Sequence, residues 1–343
     1  MRAVAQVPPI LAQLWRGEVV EAEFRGVLAV ADSAGGLIGS AGDPGRVTYM
    51  RSSSKPFQAI SVVVSGATER FELTAREIAV MAASHGGEPI HVDAVRSILA
   101  KIGLTEDALQ CGVHPPAHKA AAEELVRRGE KPRAVHNNCA GKHAGMLALA
   151  RHIGAPIDGY LSPEHPVQRR ALQVISEMSD VPAAEVQLGV DGCGVPTFAL
   201  PVRNIALMFA RLAQPQAAPE HLREAARVVA QAMMANPEMI AETSGRWDTE
   251  LMRAVPGGIV SKAGAEGLAC CGIVERGIGI ALKSTDGGGR ANAAVTYAVL
   301  HRLGALSGQA AQALSEWGKP LIRNHRGDIV GRISVVEDAI PVP

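Results

Sequence analysis

Apolar and polar residues follow two different periods along this chain, and the switches between them divide it into three stretches. From residue 10 to 49 the pattern is that of short strands and turns: strands over 19–24, 26–31 and 37–42, with a polar, glycine-containing turn at 32–36. After Lys55-Pro56 the apolar spacing changes to threes and fours, which predicts helices over 57–64, 74–84, 91–102 and 117–128. An Ala-rich buried helix follows over 140–152, opened by the polar cluster His136-Asn137-Asn138 and closed near Gly154. Helices over 166–179, 205–212 and 218–235 come next, with strands at 186–190 and 199–202. Strand patterns return at 258–262, 268–274 and 277–283, ahead of a helix over 291–303. Strands at both ends of a helical middle predict an antiparallel sheet completed by both chain ends, an α+β fold rather than a βαβ repeat. With no internal repeat and no flexible linker tract, the expectation is one domain over 1–343. Its sheet part would lie at about 10–50 and 255–335 and its helical part at about 52–254.

Composition narrows the function classes. The chain has 343 residues, 47% of them hydrophobic, enough for a large core. Lys plus Arg and Asp plus Glu both number 34, a formal net charge of zero. No electrostatic footprint for nucleic acid or an anionic membrane follows, and a small neutral or zwitterionic ligand fits better. No apolar run approaches the roughly 18 residues of a spanning helix. The segment 1–14 is broken by Gln6 and Pro8-Pro9 and makes a poor signal-peptide core. Five cysteines, scattered, do not form a disulfide framework, so the expected compartment is the cytoplasm and any functional cysteine a nucleophile or metal ligand.

The chemistry concentrates in a few short motifs. In Arg51-Ser52-Ser53-Ser54-Lys55-Pro56 a hydroxyl stands three residues ahead of a lysine where an extended segment meets a helix. Positions i and i+3 share a helix face, so Ser52 and Lys55 form a nucleophile and base pair if that helix start lies in a pocket. The bland alternative is a capping cluster with a solvated lysine. Ser84 precedes a glycine-rich turn and offers a second hydroxyl; its alternative is an ordinary helix end. Lys262-Ala263-Gly264 ends a late strand and parallels the KTG element that accompanies SxxK in β-lactamases and penicillin-binding proteins, with Lys283 a competitor for the second-lysine role. An ammonium cannot accept a proton, so one lysine must be neutral. Burial beside a second cation would hold Lys55 partly deprotonated while Lys262 keeps its charge. Cys139 and Cys193, with a nitrogen donor and a water, suit a zinc site with an open position. Lys142 and His143 both lie one helical turn from Cys139, and residue chemistry alone favours His143. The alternative is a pair of buried free thiols. Cys270 and Cys271 read as packing residues, and Cys111 as structural.

Five segments, in order, are Arg51–Gln58, Ser84–Pro89, His136–His143, Asp191–Gly194 and Lys262–Gly267. Together they resemble the Rhizobium-type L-asparaginases, the asparaginase II family, and the likeness runs from about residue 10 to 335. The resemblance implies a fold like that of serine β-lactamases and penicillin-binding proteins, and hydrolysis of L-asparagine to L-aspartate and ammonia. By motif position it implies Ser52 as nucleophile, Lys55 as its partner, Ser84 as second serine and Lys262 as second lysine. It places zinc between Cys139, Lys142 and Cys193, with His143 beside the site, and it implies a homodimer. Arg51 and Asp191 offer opposite charges for the two ends of a zwitterionic substrate, and backbone N–H groups near Ser52 are natural oxyanion donors. Two other readings stand beside this one: a related serine amidohydrolase such as a glutaminase, and a non-catalytic zinc-bound amino-acid sensor.

Overall fold

The computed structural model describes residues 7–340 and 342; of the segment 1–14 discussed above, residues 1–6 lie outside the described residues. The main sheet is built from eleven strands less three. Its members are β1 (Ile10–Arg16), β2 (Val19–Asp32), β3 (Leu37–Ala41), β7 (Ile259–Ser261), β8 (Leu268–Ile273), β9 (Ile278–Ser284), β10 (Leu321–Arg323) and β11 (Ile329–Val335). The order is β10-β11-β1-β2-β9-β8-β7, with β3 paired to β2, and every pairing is antiparallel. Both chain ends therefore complete one sheet, in the α+β class read from the sequence. Three further strands, β4 (Val47–Tyr49), β5 (Gln187–Val190) and β6 (Pro196–Pro201), form a separate small sheet in the order β4-β6-β5.

Burial on both faces explains the apolar runs. In β2, Val27, Ala29 and Ala31 point into the core shared with the helical part, and Leu28 and Val30 into a second core on the opposite face. The helix Val202–Ala213 lies directly on the sheet: a Cβ at Gly272 or Gly279 would come within 2.2 Å of Phe209 O or 1.9 Å of Ala206 O. Glycine is required at both positions for that close approach. The helix Lys55–Val63 is buried at all nine residues, the polar Lys55, Gln58 and Ser61 among them. The helix Asn292–Arg302 covers the opposite face of the sheet.

Several boundaries differ from expectation. Residues 19–32 form one strand of 14 residues, not two, because Arg25 and Gly26 continue the ladder while the pairing partner changes from β1 to β9. The helix expected over 74–84 ends at Met81, leaving Ser84 on an irregular segment. The strands read at 186–190 and 199–202 belong to the small sheet with β4. Among the described residues no helix is long and apolar enough to cross a membrane.

Candidate active site

The turn that carries Ser52 is strained. Strand β4 ends at Tyr49, and Arg51 takes φ +50°, a left-handed conformation that costs a long side chain of order 1–3 kcal/mol. Neighbouring groups hold it there: Met50 N–H donates to Phe198 O at 2.8 Å, Arg51 N–H to Thr197 Oγ1 at 3.2 Å, and Arg51 Nε to Asp191 Oδ1 at 2.8 Å. A 3₁₀ turn over Arg51–Ser54 then leads into the helix Lys55–Val63, whose second residue is Pro56. The three serines divide their roles. Ser53 Oγ donates to Met50 O at 2.8 Å and Ser54 Oγ to Arg51 O at 2.7 Å, so both are spent on the turn. Ser52 is half-buried, and among the described residues no hydrogen bond involves its Oγ.

The lysines meet elsewhere than the sequence spacing suggested. Lys55 and Lys262 are 0% and 2% exposed, and each Nζ lies 3.0 Å from Ser84 Oγ. Lys55 Nζ also donates to Ala83 O at 2.7 Å and Asn138 O at 3.3 Å, and Lys262 Nζ to Ala263 O at 2.7 Å. No hydrogen bond joins Ser52 Oγ to Lys55 Nζ: the helix Ala75–Met81 stops early, and the segment after it places Ser84 against the amine instead. Burial is the main force lowering the proton affinity of both lysines. At Lys55 the Cys139 thiolate opposes it and the Lys142 charge adds to it. At Lys262 Asp248 opposes it and Lys55 adds to it, and the result is a pKa of about 7. Lys262 therefore does not keep a full charge at neutral pH, contrary to the expectation above. Lys283 is excluded from the cluster, since its amine is held on the carbonyls of Glu266 and Ser284.

A second cluster lies beside the first. Cys139 and Cys193 are buried, and their Sγ atoms lie with an Asp191 oxygen all within 4.8 Å of one another. Lys142 Nζ sits 3.1 Å from Cys193 Sγ and 3.8 Å from Asp191 Oδ2. The helix Ala140–Ile153 begins just after Cys139 and brings Lys142 round one turn, and Gly194, at φ +87°, folds the loop that carries Cys193. A hydrogen bond from Cys193 holds the Cys139 thiol well below its ordinary range despite burial, helped by the Lys55 and Lys142 charges. Giving that bond, together with burial, pushes the Cys193 thiol up. Lys142 is buried, yet Cys139, Cys193 and Asp191 raise its proton affinity. Two sulfurs, an amine and a carboxylate converge here, a donor set that suits Zn²⁺.

Two expected substrate contacts are engaged inside the protein. Arg51 and Asp191 are each other's partner at 2.8 Å, not two free charges for the ends of an amino acid. Burial pushes the Asp191 carboxyl up, but Lys142 and Arg51 more than offset this and hold it below its usual range. His143 is fully buried. Its Nδ1 lies 2.7 Å from Tyr160 Oη, which also accepts the Gln110 N–H at 2.9 Å. Its Nε2 is buried and has no hydrogen-bond partner among the described residues. Sequence reasoning missed Asp248, whose carboxylate flanks Lys262, and Glu266, whose Oε1 lies 3.8 Å from the Arg51 guanidinium. Glu266 lay within a quoted motif and was readable; nothing in the local pattern marks Asp248 as buried.

Among curated proteins none matches this chain. Among solved structures it is similar to Mglu in its native form, at 19% identity and TM-score 0.44, over 90% of this chain and 69% of that one. It is also similar to a β-lactamase from Mycobacterium bovis, at 14% identity and TM-score 0.42, over 85% and 95%. A Bacillus glutaminase is a third, at 14% identity and TM-score 0.33, over 85% and 90%. The family L-asparaginase II matches residues 12–335, nearly the whole chain. The protein is thus an amidohydrolase with a small-molecule substrate, and its chain belongs to the L-asparaginase II family.

Proposed function

We propose that the protein hydrolyses the side-chain amide of L-asparagine to L-aspartate and ammonia through a covalent intermediate on Ser52. The observation that carries this reading is the Ser84 hydroxyl held between two buried amines, one of them Lys55, three residues after Ser52, the one serine of the 52–54 run whose hydroxyl is unspent. A hydroxyl has one proton, so Ser84 donates to one amine and accepts from the other. With its two hydrogens on Ala83 O and Asn138 O, a neutral Lys55 aims its lone pair at Ser84. Lys262 is half-deprotonated near pH 7 and serves the same purpose from the other side.

Ser52 Oγ attacks the amide carbon. Its proton passes to Ser84 as Ser84 releases its own to a neutral lysine, so no net charge is created in the cleft. The tetrahedral oxyanion is met by backbone N–H groups near Ser52 other than those of Arg51 and Ser53, which are engaged in the turn. The same proton returns through Ser84 to the leaving nitrogen, and ammonia departs. Water, deprotonated along the same path, then cleaves the aspartyl ester and restores Ser52. Cys139, Lys142 and Cys193 would hold a zinc ion, which would supply positive charge that orients the substrate or the pocket. Lys142 serves as a ligand only as a neutral amine, so loading must release the proton that its thiol and carboxylate neighbours hold in place.

Ammonia release from L-asparagine, L-glutamine and nitrocefin, measured side by side, tests the substrate. Asparagine is expected to lead glutamine by about 10- to 200-fold, the selectivity that one CH₂ allows. Replacing Ser52 with Ala is expected to lower kcat by at least about 10³-fold with bound metal unchanged. An S52A protein with wild-type turnover would overturn the nucleophile, and ligand-induced thermal stabilisation without ammonia release would favour the sensor.

A further inference from the structure

Strand β7 is the edge of the main sheet and pairs only with β8, so Lys262 leaves the sheet with ladder support on one side: its N–H donates to Cys270 O at 3.0 Å. On the other side stands the helix Trp247–Ala254. Asp248, in its first turn and 5% exposed, accepts from Ser261 Oγ at 2.7 Å through Oδ1 and from Ala263 N–H at 2.9 Å through Oδ2. Those are the two residues on either side of Lys262. The next residue, Thr249, is fully buried, and its one Oγ1 proton is shared between Pro237 O at 3.2 Å and Glu242 O at 3.0 Å. The segment it ties down also supplies Ile240 O to Ser84 N–H at 2.9 Å. Two consecutive residues of one short helix therefore brace the backbone of both partners in the Lys262–Ser84 contact.

We propose that Asp248 is a positioning residue for Lys262, fixing where its amine meets Ser84 and supplying the negative charge that faces it. The inference rests on the proposed function only in giving Lys262 a part in proton movement. The charged and titratable groups facing Lys262 are Asp248 and Arg246 at the start of this helix, Lys55 on the buried helix, Cys139 across the cleft and Cys270 on β8. Arg246 and Lys55 disfavour a proton on Lys262, as burial does, and the Asp248 carboxylate is the strongest group opposing them. Removing its charge moves the Lys262 midpoint to lower pH.

The test compares metal-loaded wild type with Asp248→Asn, both carrying ¹³Cε-labelled lysine, with the Lys262 resonance assigned from K262R. For D248N the Lys262 midpoint is expected to fall by about one pH unit. The acid limb of kcat/KM for asparagine should move in the same direction. The kcat should fall about 10- to 100-fold, because the amine is displaced, while KM stays within a few-fold. Ser261→Ala keeps the carboxylate and loses one contact, so the midpoint stays and kcat falls only a few-fold. Should D248N not fold, Asp248→Glu carries the test, with charge kept, position changed and kcat lowered at an unmoved midpoint. A D248N midpoint and pH profile coincident with wild type, or a D248E kcat equal to wild type, overturns the proposal. Wild type that releases no ammonia from asparagine sinks the proposed function alone, because the NMR titration still reads Asp248.

Discussion

Three buried lysines in two neighbouring clusters show how partners decide whether burial strips the charge. Lys55, Lys262 and Lys142 are all nearly inaccessible to solvent. Lys55 and Lys262 hydrogen-bond to carbonyls and one hydroxyl, and the negative groups facing them, Cys139 and Asp248, do not offset desolvation, so both are driven toward the neutral amine. Lys142 sees two thiols and a carboxylate, and is held as a cation. The first arrangement makes a base. The second, in the zinc site proposed above, would make a ligand only once freed of its proton.

The largest expected effect breaks the first arrangement. Lys262→Met removes the amine and should lower kcat by about 10³-fold or more. Lys262→Arg should not restore it, because a guanidinium keeps its proton at any working pH. Rescue by arginine would mean that the site needs a cation, and would make the two clusters alike. Next in size, Cys193→Ala should lower metal content at a fixed free-zinc concentration by at least about 100-fold, since one of the two thiolates of the proposed zinc site is lost and not merely reoriented. The Lys262 titration in C193A should stay near its wild-type midpoint. A large shift there would show the clusters to be one electrostatic unit.

The two regions also differ in how far they could be read in advance. Ser52, Ser84, Lys262, Cys139 and Cys193 stand in short motifs whose residue types are unusual together, so they announce themselves. The contacts among them do not: that Ser84, not Ser52, lies between the lysines depends on the helix after Thr74 stopping at Met81, a boundary that packing decides. The Arg51–Asp191 pair joins residues 140 apart, and no local pattern reports such a pairing. Likewise β10 and β11 carry no strong local signal, because they are short or interrupted by glycine and largely half-exposed or exposed, and they join the sheet through the pairing of β11 with β1 across the length of the chain. The helix Trp247–Ala254, eight residues between glycine turns, is too short for its periodicity to stand out, and Asp248 was missed with it.

A smaller effect concerns stability, and its sign separates the two kinds of lysine. Between about pH 7, the midpoint of Lys262 in the folded protein, and about 10.5, its ordinary value in the unfolded chain, the unfolded state carries a proton that the folded state lacks. Stability therefore rises with pH through that window. The cost of burying this lysine is fully present below it and vanishes above it. K262M escapes the cost, so at pH 7 it should be more stable than wild type by on the order of a few kcal/mol, with the gap closing by pH 10.5. Denaturant melts at several pH values measure this, and a constant gap would mean that the amine is charged in the folded state throughout.

The smallest effect concerns a third lysine at the edge of the comparison. Lys283 lies near the end of β9, two strands from Lys262, and it is only half-buried. Its proton affinity is also lowered by burial and by Arg46, with Glu266 opposing, but its hydrogens go to the carbonyls of Glu266 and Ser284, and among the described residues it makes no hydrogen bond to a hydroxyl. A lowered proton affinity without an acceptor to serve does not make a base. Lys283→Met should leave two carbonyls to water, cost about 1 kcal/mol of stability, and change kcat on asparagine by less than about threefold. What part it does play runs through Glu266, which Lys283 holds by its carbonyl and which faces Arg51 with its carboxylate, so any loss should fall on KM more than on kcat. A loss of kcat in K283M as deep as that in K262M would move the second lysine from the strand end at 262 to β9, and would undo the contrast between an amine beside a hydroxyl and an amine that only caps a loop.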